Sequence, residues 1–404
     1  MVKKLYKIFK KLISSKIVFN SPNYDFLIFD GTSFKDLKKH LFKNKKCFVL
    51  ENRYENIKEI YLSPKILWQI LLNLFSNYNN LLLQDIYLNA IIQAVKPKVV
   101  LTFIDNNIQF SKLCRANKDE SIKFIALQNG SRLQWQEQLF LFKNKLIDRN
   151  INLDYFIPLF LCFGEFEKDE CKKYSIKVEK FTYVGNIRLS NFLKDVELKK
   201  IIIKKNKYDV CLLSDHGAWL NKYDGVQINK ITKAYQGIVK LIKYTIKVSQ
   251  KNSLKFIFSF KRSHGSPGYE DEQRWFKENL TVDEYNYIKK NSSLHKEYSS
   301  YINSFESKVI VANTSTLLRE NISCGNKILS CNLTNSYLYD FPIKGICSIN
   351  DCDFDDFSQR LMDIIRIEKN DYFKKLEMKK NYLIHYNEPD KCFNTIRENI
   401  YKYL

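Results

Sequence analysis

The stretch KVVLTFID, residues 98 to 105, is an apolar run that ends at a carboxylate, Asp105. Three similar runs lie on either side of it, namely DFLIFD (25–30), KCFVLE (46–51) and KFIALQNG (123–130). Helical patterns separate them, including SPKILWQILLNLF (63–75) and QDIYLNAIIQAV (84–95). Short apolar runs that alternate with helices predict βαβ units, and therefore a parallel sheet in an α/β fold.

Polar residues follow these predicted strands at the points where they end. In open α/β sheets, ligands bind outside the carboxyl ends of the strands, so such residues are candidates for chemistry. The candidates in this half of the chain are Glu51, Arg53, Glu55, Asp105, Asn106, Asn129, Gly130 and Arg132.

A second series with the same construction begins near residue 207. Its apolar runs enter polar loops in KYDVCLLSDHG (207–217), LKFIFSFKRSHG (254–265) and SKVIVANTSTLLRENISCGNKILSC (307–331). A Lys-rich connector precedes it, which places a domain boundary near residues 188–206. We therefore expect a basic amphipathic helix at 1–20 and two Rossmann-like domains, at 21–195 and 196–404, the last helix of which can cross back. Two doubly wound domains that face each other across a cleft resemble the layout of GT-B glycosyltransferases. That likeness implies an acceptor side at 21–195 and a nucleotide-sugar-binding domain at 196–404.

Composition limits the class of protein. With 404 residues, of which 45% are hydrophobic, the chain can bury a large core, and its apolar runs are too short to predict a membrane span. The 10 cysteines show no metal-ligand spacing and are typical of reduced thiols in a cytosolic protein. The net charge of +22 favours an anionic partner, although a general lysine bias would give the same excess.

The first residues concentrate positive charge. In MVKKLYKIFKKLISSK (1–16), apolar side chains recur at helical spacing and lysines fill the opposite face. The apolar stripe consists of Leu5, Ile8, Phe9, Leu12 and Ile13. This helix either docks on the protein's own core or lies on the anionic inner surface of a membrane.

Several stretches together resemble one family, the bacterial surface carbohydrate biosynthesis proteins, a group of GT-B-like proteins regarded as glycosyltransferases. They are VLENRYENI (49–57), KPKVVLTFIDNNIQF (96–110), IALQNGSR (125–132), YVGNIRLSNF (183–192) and NTSTLLREN (313–321). The last is also similar to a motif of transferases that use CMP-activated ulosonic acids such as Kdo.

The resemblance implies a glycosyltransferase of surface polysaccharide synthesis, for lipopolysaccharide or capsule. It implies transfer of a sugar from a nucleotide-sugar, for which a CMP-linked sugar is one candidate, to a glycan or lipid-linked acceptor without metal or other cofactor. A cytoplasmic location at the inner face of the cytoplasmic membrane, with residues 1–16 on the anionic lipid surface, fits this activity.

The donor side is predicted in the second half of the chain. Small hydroxyl residues stand before a predicted helix, whose free N–H groups favour phosphate, although they also fit an ordinary helix cap. Glu320, one turn later, reaches ribose hydroxyls if the resemblance holds. GT-B enzymes with anionic donors often have a Lys-x-His-Pro-like turn after the second strand of this half, and KRSHGSP (261–267) is similar to it. In this chain the proline comes three residues after His264 instead of directly after it. The donor-binding candidates are Ser214, His216, Gly217, Lys261, Arg262, Thr314, Ser315, Thr316 and Glu320.

Glycosyl transfer needs a base or orienting group for the acceptor hydroxyl and positive charge for the departing phosphate. Asp105 is the candidate base, with a helix N-cap as its structural alternative, and Glu51 and Glu55 are reserve bases. His264 is a further catalytic candidate on the leaving-group side. The acceptor-binding or sugar-binding candidates are Arg53, Asn106, Asn129, Gly130 and Arg132.

Other classes remain open at this point. A wall teichoic type polyol-phosphate transferase and a nucleotide-sugar 2-epimerase fit the same layout. A nucleic-acid binder would explain the charge, but the aromatic residues lie in apolar periodic segments, so we expect no nucleic-acid partner. The acidic run DCDFDD (351–356) precedes an amphipathic helix pattern and predicts a solvated turn and helix start, with no metal site.

Overall fold

The structure is a computed structural model. It describes residues 15–31, 34–42, 46–53, 56–75, 83–117, 120–132, 155–174, 176–216, 228–266, 268–293, 297–335, 337–376, 378–379 and 381–404. The predicted sites Glu55 and Gly217, and most of the predicted helix at 1–20, lie outside these residues.

The chain divides into two compact units. The first comprises residues 1–129, 138–191 and 388–404, and the second comprises 130–137 and 192–387. Residues 130–137 therefore belong to the second unit although both flanking segments belong to the first. Residues 388–404 belong to the first unit although they directly follow the second.

In the described chain, the first unit is built on eight strands and seven helices, of which the seventh is the C-terminal helix. The strands are β1 (Lys16–Val18), β2 (Phe26–Phe29), β3 (Phe48–Leu50), β4 (Glu59–Tyr61), β5 (Val99–Thr102), β6 (Lys123–Leu127), β7 (Phe156–Cys162) and β8 (Lys177–Tyr183). The helices are α1 (Phe34–His40), α2 (Pro64–Phe75), α3 (Leu83–Val95), α4 (Ile108–Ala116), α5 (Glu165–Lys173) and α6 (Ile187–Glu197), the last of which ends in the second unit.

Six of these strands form one parallel sheet in the order β3-β2-β5-β6-β7-β8. All residues of β2 and β5 are buried, as expected for strands covered on both faces. Strand addition reverses direction between β2 and β5, which makes their carboxyl ends the topological switch point of the sheet.

The helix predicted at residues 1–20 is wrong at its C-terminal end. Lys16–Val18, inside the predicted helix 1–20, form β1, which pairs in parallel with β4. The β-branched pair Ile17 and Val18 suits a strand, and pairing supplies the backbone hydrogen bonds that a helix would have made internally.

The second unit contains β9 (Tyr208–Leu213), β10 (Phe256–Ser259), β11 (Ser307–Ala312), β12 (Lys327–Asn332) and β13 (Ser348–Asn350). These strands are parallel, in the order β10-β9-β11-β12-β13. The helices are α7 (Ile228–Lys251), α8 (Tyr269–Asn279), α9 (Val282–Lys290), α10 (Ser299–Phe305), α11 (Thr316–Ser323), α12 (Phe354–Arg366) and α13 (Lys369–Lys374), while α14 (Pro389–Tyr401) belongs to the first unit.

The second unit contains a capped helix start at α12 and a close backbone approach at α7. Asp353 caps α12, because its side chain accepts a hydrogen bond from the Asp356 N–H at 2.9 Å, so the predicted helix start in DCDFDD is confirmed. Gly237 lies within α7 where a Cβ atom would stand 2.7 Å from the carbonyl carbon and oxygen of Leu333. Among the helices of the described chain, none is long and apolar enough to cross a membrane.

Candidate functional site

The carboxyl ends of β9, β10 and β11 gather the donor-side candidates in the second unit. Because β9 lies between β10 and β11, the switch point of this sheet falls between β9 and β11. Ser214 to His216 follow β9, Lys261 and Arg262 follow β10, and the segment 313–316 follows β11 into α11.

Asp215 joins the two strands at the switch point. Its Oδ2 accepts a hydrogen bond from the Asn313 N–H at 2.6 Å. Burial raises the pKa of the Asp215 carboxyl, while the Asn313 amide, Lys261 and the Thr314 amide act in the opposite direction. The carboxylate therefore fixes the backbone that leads into α11.

Glu272 of α8 orders the loop after β10. This fully buried carboxylate accepts hydrogen bonds from the Ser214 hydroxyl, the Lys261 N–H at 3.0 Å and the Arg262 N–H at 2.9 Å. Burial raises its pKa, and these three hydrogen bonds oppose the shift. The acidic residues that follow KRSHGSP were given no role above, although the acidic start of a helix directly after a basic loop was an available signal.

His216 lies beside this loop and is 4% exposed. Its ring contacts Trp275, with centroids 5.4 Å apart. Burial, with the positive charges of Lys261 and Arg262, lowers the pKa of His216 to about 4. The imidazole is therefore neutral near pH 7, and its Nε2 has no hydrogen-bond partner among the residues that the structure describes.

The basic residues of the loop remain accessible. Lys261, Arg262 and His264 are all exposed. The His264 ring packs edge-on against Tyr269, with centroids 5.1 Å apart. Exposed cations beside a buried neutral imidazole can bind an anionic group such as a phosphate.

The start of α11 is both capped and bound to a neighbouring segment. Ser315 is the N-cap, and its hydroxyl accepts a hydrogen bond from the Leu317 N–H at 3.4 Å. The Thr316 hydroxyl accepts from the Ser131 N–H at 2.9 Å and is hydrogen-bonded to the Ser131 hydroxyl at 2.9 Å. Thus Ser315 has the ordinary capping role that was the alternative to anion binding, and Thr316 holds the segment that includes Gly130.

Two further charged residues lie inside α11. Glu320 is 1% exposed and Arg319 is nearly as buried. Arg319 donates from Nη2 to the carbonyl oxygen of Arg132 at 3.4 Å. Gly130 and Arg132, predicted on the acceptor side, therefore belong to the second unit and lie beside the donor candidates.

In the first unit, a carboxylate that sequence reasoning missed lies at the end of β2. Asp30 is fully buried, adopts a left-handed backbone with φ 68°, and accepts a hydrogen bond from Arg53 Nε at 2.9 Å. Arg53, predicted to bind the sugar or acceptor, is thus paired with Asp30. The position of Asp30 at the end of the quoted run DFLIFD was the available signal.

Glu51 follows β3 and accepts a hydrogen bond from the Gly31 N–H at 3.3 Å. Burial raises the pKa of Glu51, the Gly31 amide opposes this, and nearby Asp30 adds to it. A carboxyl whose pKa is raised toward neutrality is better suited to accept a proton at pH 7 than an ordinary one.

Asp105 is fully buried after β5. Its Oδ1 accepts a hydrogen bond from the Asn129 N–H at 3.2 Å, and its carbonyl oxygen accepts one from the Tyr155 hydroxyl. The N-cap of α4 is Asn107, which accepts from the Gln109 N–H at 2.9 Å, so Asp105 is not a helix cap. Asn106 is half-buried beside it.

Arg188, at the start of α6, is a second residue that sequence reasoning missed. Its Nε donates to Asp36 Oδ2 at 2.9 Å, and its Nη1 donates to the Asn129 carbonyl oxygen at 3.3 Å. It lies within YVGNIRLSNF, a stretch quoted above only for its resemblance. Arg188 and Asp105 both bind the backbone of Asn129, which fixes the end of β6.

No three His, Cys, Asp or Glu side chains within the described ranges are arranged to hold a metal ion.

Comparison with known proteins identifies the fold. The sequence matches no protein-family model, and no curated protein matches it. A candidate UDP-N-acetylglucosamine 2-epimerase from Listeria monocytogenes is similar in structure, with a TM-score of 0.50 and 10% identity over 92% of this chain and 94% of that one.

Two other similar structures have lower TM-scores. The UDP-GlcNAc 2-epimerase from Neisseria meningitidis, bound to UDP-GlcNAc, has a TM-score of 0.48 and 14% identity over 93% of this chain and 99% of its own. The wall teichoic acid polymerase TagF has a TM-score of 0.48 and 9% identity over 98% of this chain and 92% of its own. The likeness to the Listeria protein shows a shared fold, and the predicted α/β fold of the GT-B type is confirmed.

Proposed function

We propose that this protein is a nucleotide-sugar-dependent glycosyltransferase whose second unit binds the donor. The observation that carries the proposal is the convergence of His216, Lys261, Arg262 and the start of α11 at the carboxyl ends of β9, β10 and β11. Ligands of doubly wound sheets bind at such switch points, and a helix N-terminus favours phosphate. Glu320 is the proposed partner of the ribose hydroxyls.

The donor that we propose is a CMP-activated ulosonic acid such as Kdo. Such a donor carries one phosphate and one sugar carboxylate, and the two exposed cations Lys261 and Arg262 supply matching charge. In the reaction, the acceptor hydroxyl oxygen attacks the anomeric carbon, and the bond from that carbon to the phosphate oxygen breaks. The nucleotide leaves with the electron pair, and the positive charges offset its growing negative charge without a metal or other cofactor.

In the first unit, Asp105 is the proposed base that takes the acceptor proton, with Glu51 in reserve. Its neighbours Asn106 and Asn129, with Arg53, are proposed to contact the sugar or acceptor. Glu51 is the reserve candidate because its raised pKa makes it better suited than an ordinary carboxyl to accept a proton at pH 7.

The acceptor that we propose is a glycan or lipid-linked saccharide of surface polysaccharide synthesis. A protein that uses lipid-linked acceptors gains by working at the inner face of the cytoplasmic membrane. The lysines and apolar stripe of residues 1–16 support peripheral binding to anionic lipid there.

Binding of the intact chain to CMP, CDP, UDP and GDP tests the donor site, with cytidine, uridine and guanosine as controls. A nucleotide at 100 times its Kd should stabilise the fold by roughly 2.7 kcal/mol, and CMP should act where cytidine does not. Lys261→Gln should weaken binding, and Glu320→Gln should weaken it by about 1–3 kcal/mol. Lys290→Gln, an exposed lysine of the same unit, is the matched control.

A folded protein whose melting temperature responds to no nucleotide would contradict the proposal, and a response to UDP or GDP alone would contradict the CMP-linked donor. NMR of the donor in D₂O separates the other activities. A 2-epimerase exchanges the hydrogen at C2 of the sugar, whereas a polyol-phosphate transferase releases CMP from CDP-glycerol. A glycosyltransferase that uses a CMP-activated ulosonic acid, whose anomeric C2 carries no hydrogen, releases CMP as the sugar is transferred.

A further inference from the structure

The outward side of α2 carries six large apolar side chains. We call this surface the α2 face, and its members are exposed by 43% to 86%: Leu67, Trp68, Leu71, Leu72, Leu74 and Phe75. The buried residues of the helix are Ile66 and Asn73. Asn73 accepts a hydrogen bond from Asn89 of α3 at 3.4 Å, so a polar residue occupies the inward side of α2.

This distribution is the reverse of an ordinary surface helix, which buries its apolar stripe and exposes charge. Most of the α2 face falls at spacings of one, four, five and eight residues from Leu67, which places those side chains on one side of the helix. Single exposed apolar residues are common, but a contiguous patch of this kind marks an interaction surface.

The segment that contains α2 carries a single charge, which is positive. Residues 60–84 contain no Asp or Glu, and Lys65, which is exposed, is their one charged residue. The described chain begins at Ser15, and β1 pairs with β4, the strand that leads into α2. The Leu62 N–H also donates to the Val18 carbonyl oxygen at 2.8 Å. The lysine-rich residues 1–14 therefore join the described chain at the end of β1 where Lys16 is paired with Glu59, the first residue of β4.

We propose that the α2 face docks on a lipid bilayer that contains anionic lipid. Trp68 and Phe75 enter the boundary between headgroups and acyl chains, where aromatic side chains are favoured, and the leucines enter beside them. Lys65 and the attached lysines of residues 1–14 are attracted to the lipid phosphates. The α2 face belongs to the first unit and the proposed donor site to the second, and docking does not depend on the proposed glycosyl transfer.

Charge favours a membrane over a second copy of the chain. A symmetric dimer through the α2 face would pair this segment with a second copy of itself, and residues 60–84 contain no Asp or Glu that could offset Lys65. An anionic bilayer supplies that opposite charge.

Sedimentation of the full-length protein with vesicles tests the proposal. Vesicles of phosphatidylcholine and phosphatidylglycerol should bind it, and the combined change Leu71→Gln, Leu72→Gln and Phe75→Gln should lower the partition coefficient at least about tenfold. The matched control changes three exposed apolar residues of the second unit, Leu198→Gln, Ile202→Gln and Val282→Gln, and should bind as the unchanged protein does. Equal binding by the two triple variants would overturn the proposal.

A second measurement does not depend on how the triple variant folds. Bilayer lipids brominated on their acyl chains should quench the fluorescence of the unchanged protein, and Trp68→Phe should remove that quenched component. Quenching that does not depend on Trp68 would overturn the proposal. A full-length variant with Lys3, Lys4, Lys7, Lys10 and Lys11 all changed to Gln should retain the α2-dependent part of the binding. Light scattering that shows a dimer without lipid, converted to a monomer by the α2 triple variant, would assign the face to a second copy instead.

Discussion

The hydroxyl of Ser214 donates a hydrogen bond to the buried carboxylate of Glu272, 58 residues away in sequence. The same carboxylate accepts the backbone N–H groups of Lys261 and Arg262. One side chain of α8 therefore holds together the ends of β9 and β10, where the proposed donor phosphate binds.

Glu272→Gln should loosen this arrangement. The amide nitrogen of Gln would face an N–H group or the hydroxyl where an acceptor oxygen now lies, which leaves a buried donor without an acceptor. We expect a loss of about 1–3 kcal/mol in the free energy of unfolding, measured by denaturant titration, and weaker nucleotide binding. Glu270→Gln, exposed on the same helix, should change stability by less than about 0.5 kcal/mol. Equal effects at the two positions would mean that the hydrogen bonds of Glu272 contribute little.

His216 should make stability depend on pH. Its folded-state pKa of about 4 lies below the ordinary value of 6.5, so between these values the unfolded chain binds the extra proton. The contribution of the neutral His216 imidazole to the free energy of unfolding is fully present above pH 6.5. It is lost as pH falls toward 4, by at most about 1.4 kcal/mol per pH unit. His216→Gln should flatten thermal stability between pH 6.5 and 4, while His264→Gln, at an exposed histidine, should retain the slope. An unchanged slope in the first variant would contradict the lowered pKa.

The hydroxyl of Thr316 should contribute to the free energy of unfolding. Thr316→Val keeps the branched shape but removes the acceptor for the Ser131 N–H, and should lower the free energy of unfolding by about 1–3 kcal/mol. Thr316→Ser keeps the hydroxyl and should cost clearly less. Chemical denaturation of both variants measures the difference, and similar losses would show that the methyl group, not the hydroxyl, matters.

Asp105→Asn separates charge from shape. The variant retains Oδ1 as an acceptor for the Asn129 N–H, so we expect little change in melting temperature. If Asp105 is the base, turnover should fall at least about a hundredfold. Near-normal turnover would leave Asp105 as a structural residue that fixes the end of β6, and Glu51→Gln would then be the next variant to assay.

Asp353 should behave as a helix cap. Asp353→Ala removes the acceptor for the Asp356 N–H and should cost about 0.5–2 kcal/mol in the free energy of unfolding. Asp355→Ala, in the first turn of the same helix, should cost less because it loses only a helix-dipole interaction. Neither change should alter the response of activity to added metal or chelator, and a metal-dependent loss at Asp353 would contradict the assignment.

The sequence predicted the strands where local patterning was sufficient. The runs that became β2, β3, β5 and β6 are short, apolar and followed by polar residues, which is the pattern of parallel strands covered on both faces. The strand β7 was not predicted, although FIPLFLC is almost entirely apolar. Proline normally indicates an edge or an interruption, but Pro158 precedes Leu159, the first residue that pairs with β6.

The site was predicted less completely, for a physical reason. Strand-end residues such as Asp105 and His216 can be identified from the chain, because parallel strands end at one edge of a sheet. The partners that hold them cannot, because Glu272 reaches Ser214, and Asp30 reaches Arg53, only after the chain has folded. The choice between Asp105 and Asn107 as the cap of α4 likewise depends on where the helix begins, and the pattern locates that point only to within a few residues.

The substitution Gly237→Ala should stabilise α7 as an isolated peptide but destabilise the folded protein. In an isolated peptide with the sequence of α7, Gly237→Ala should favour the helix by about 1 kcal/mol, since alanine loses less backbone freedom than glycine. In the folded chain, the new methyl group would stand 2.7 Å from the Leu333 carbonyl and would push the helix away from the end of β12. The difference between the two effects measures how tightly the helix is docked, so a change that promotes local order would at this position report on tertiary packing.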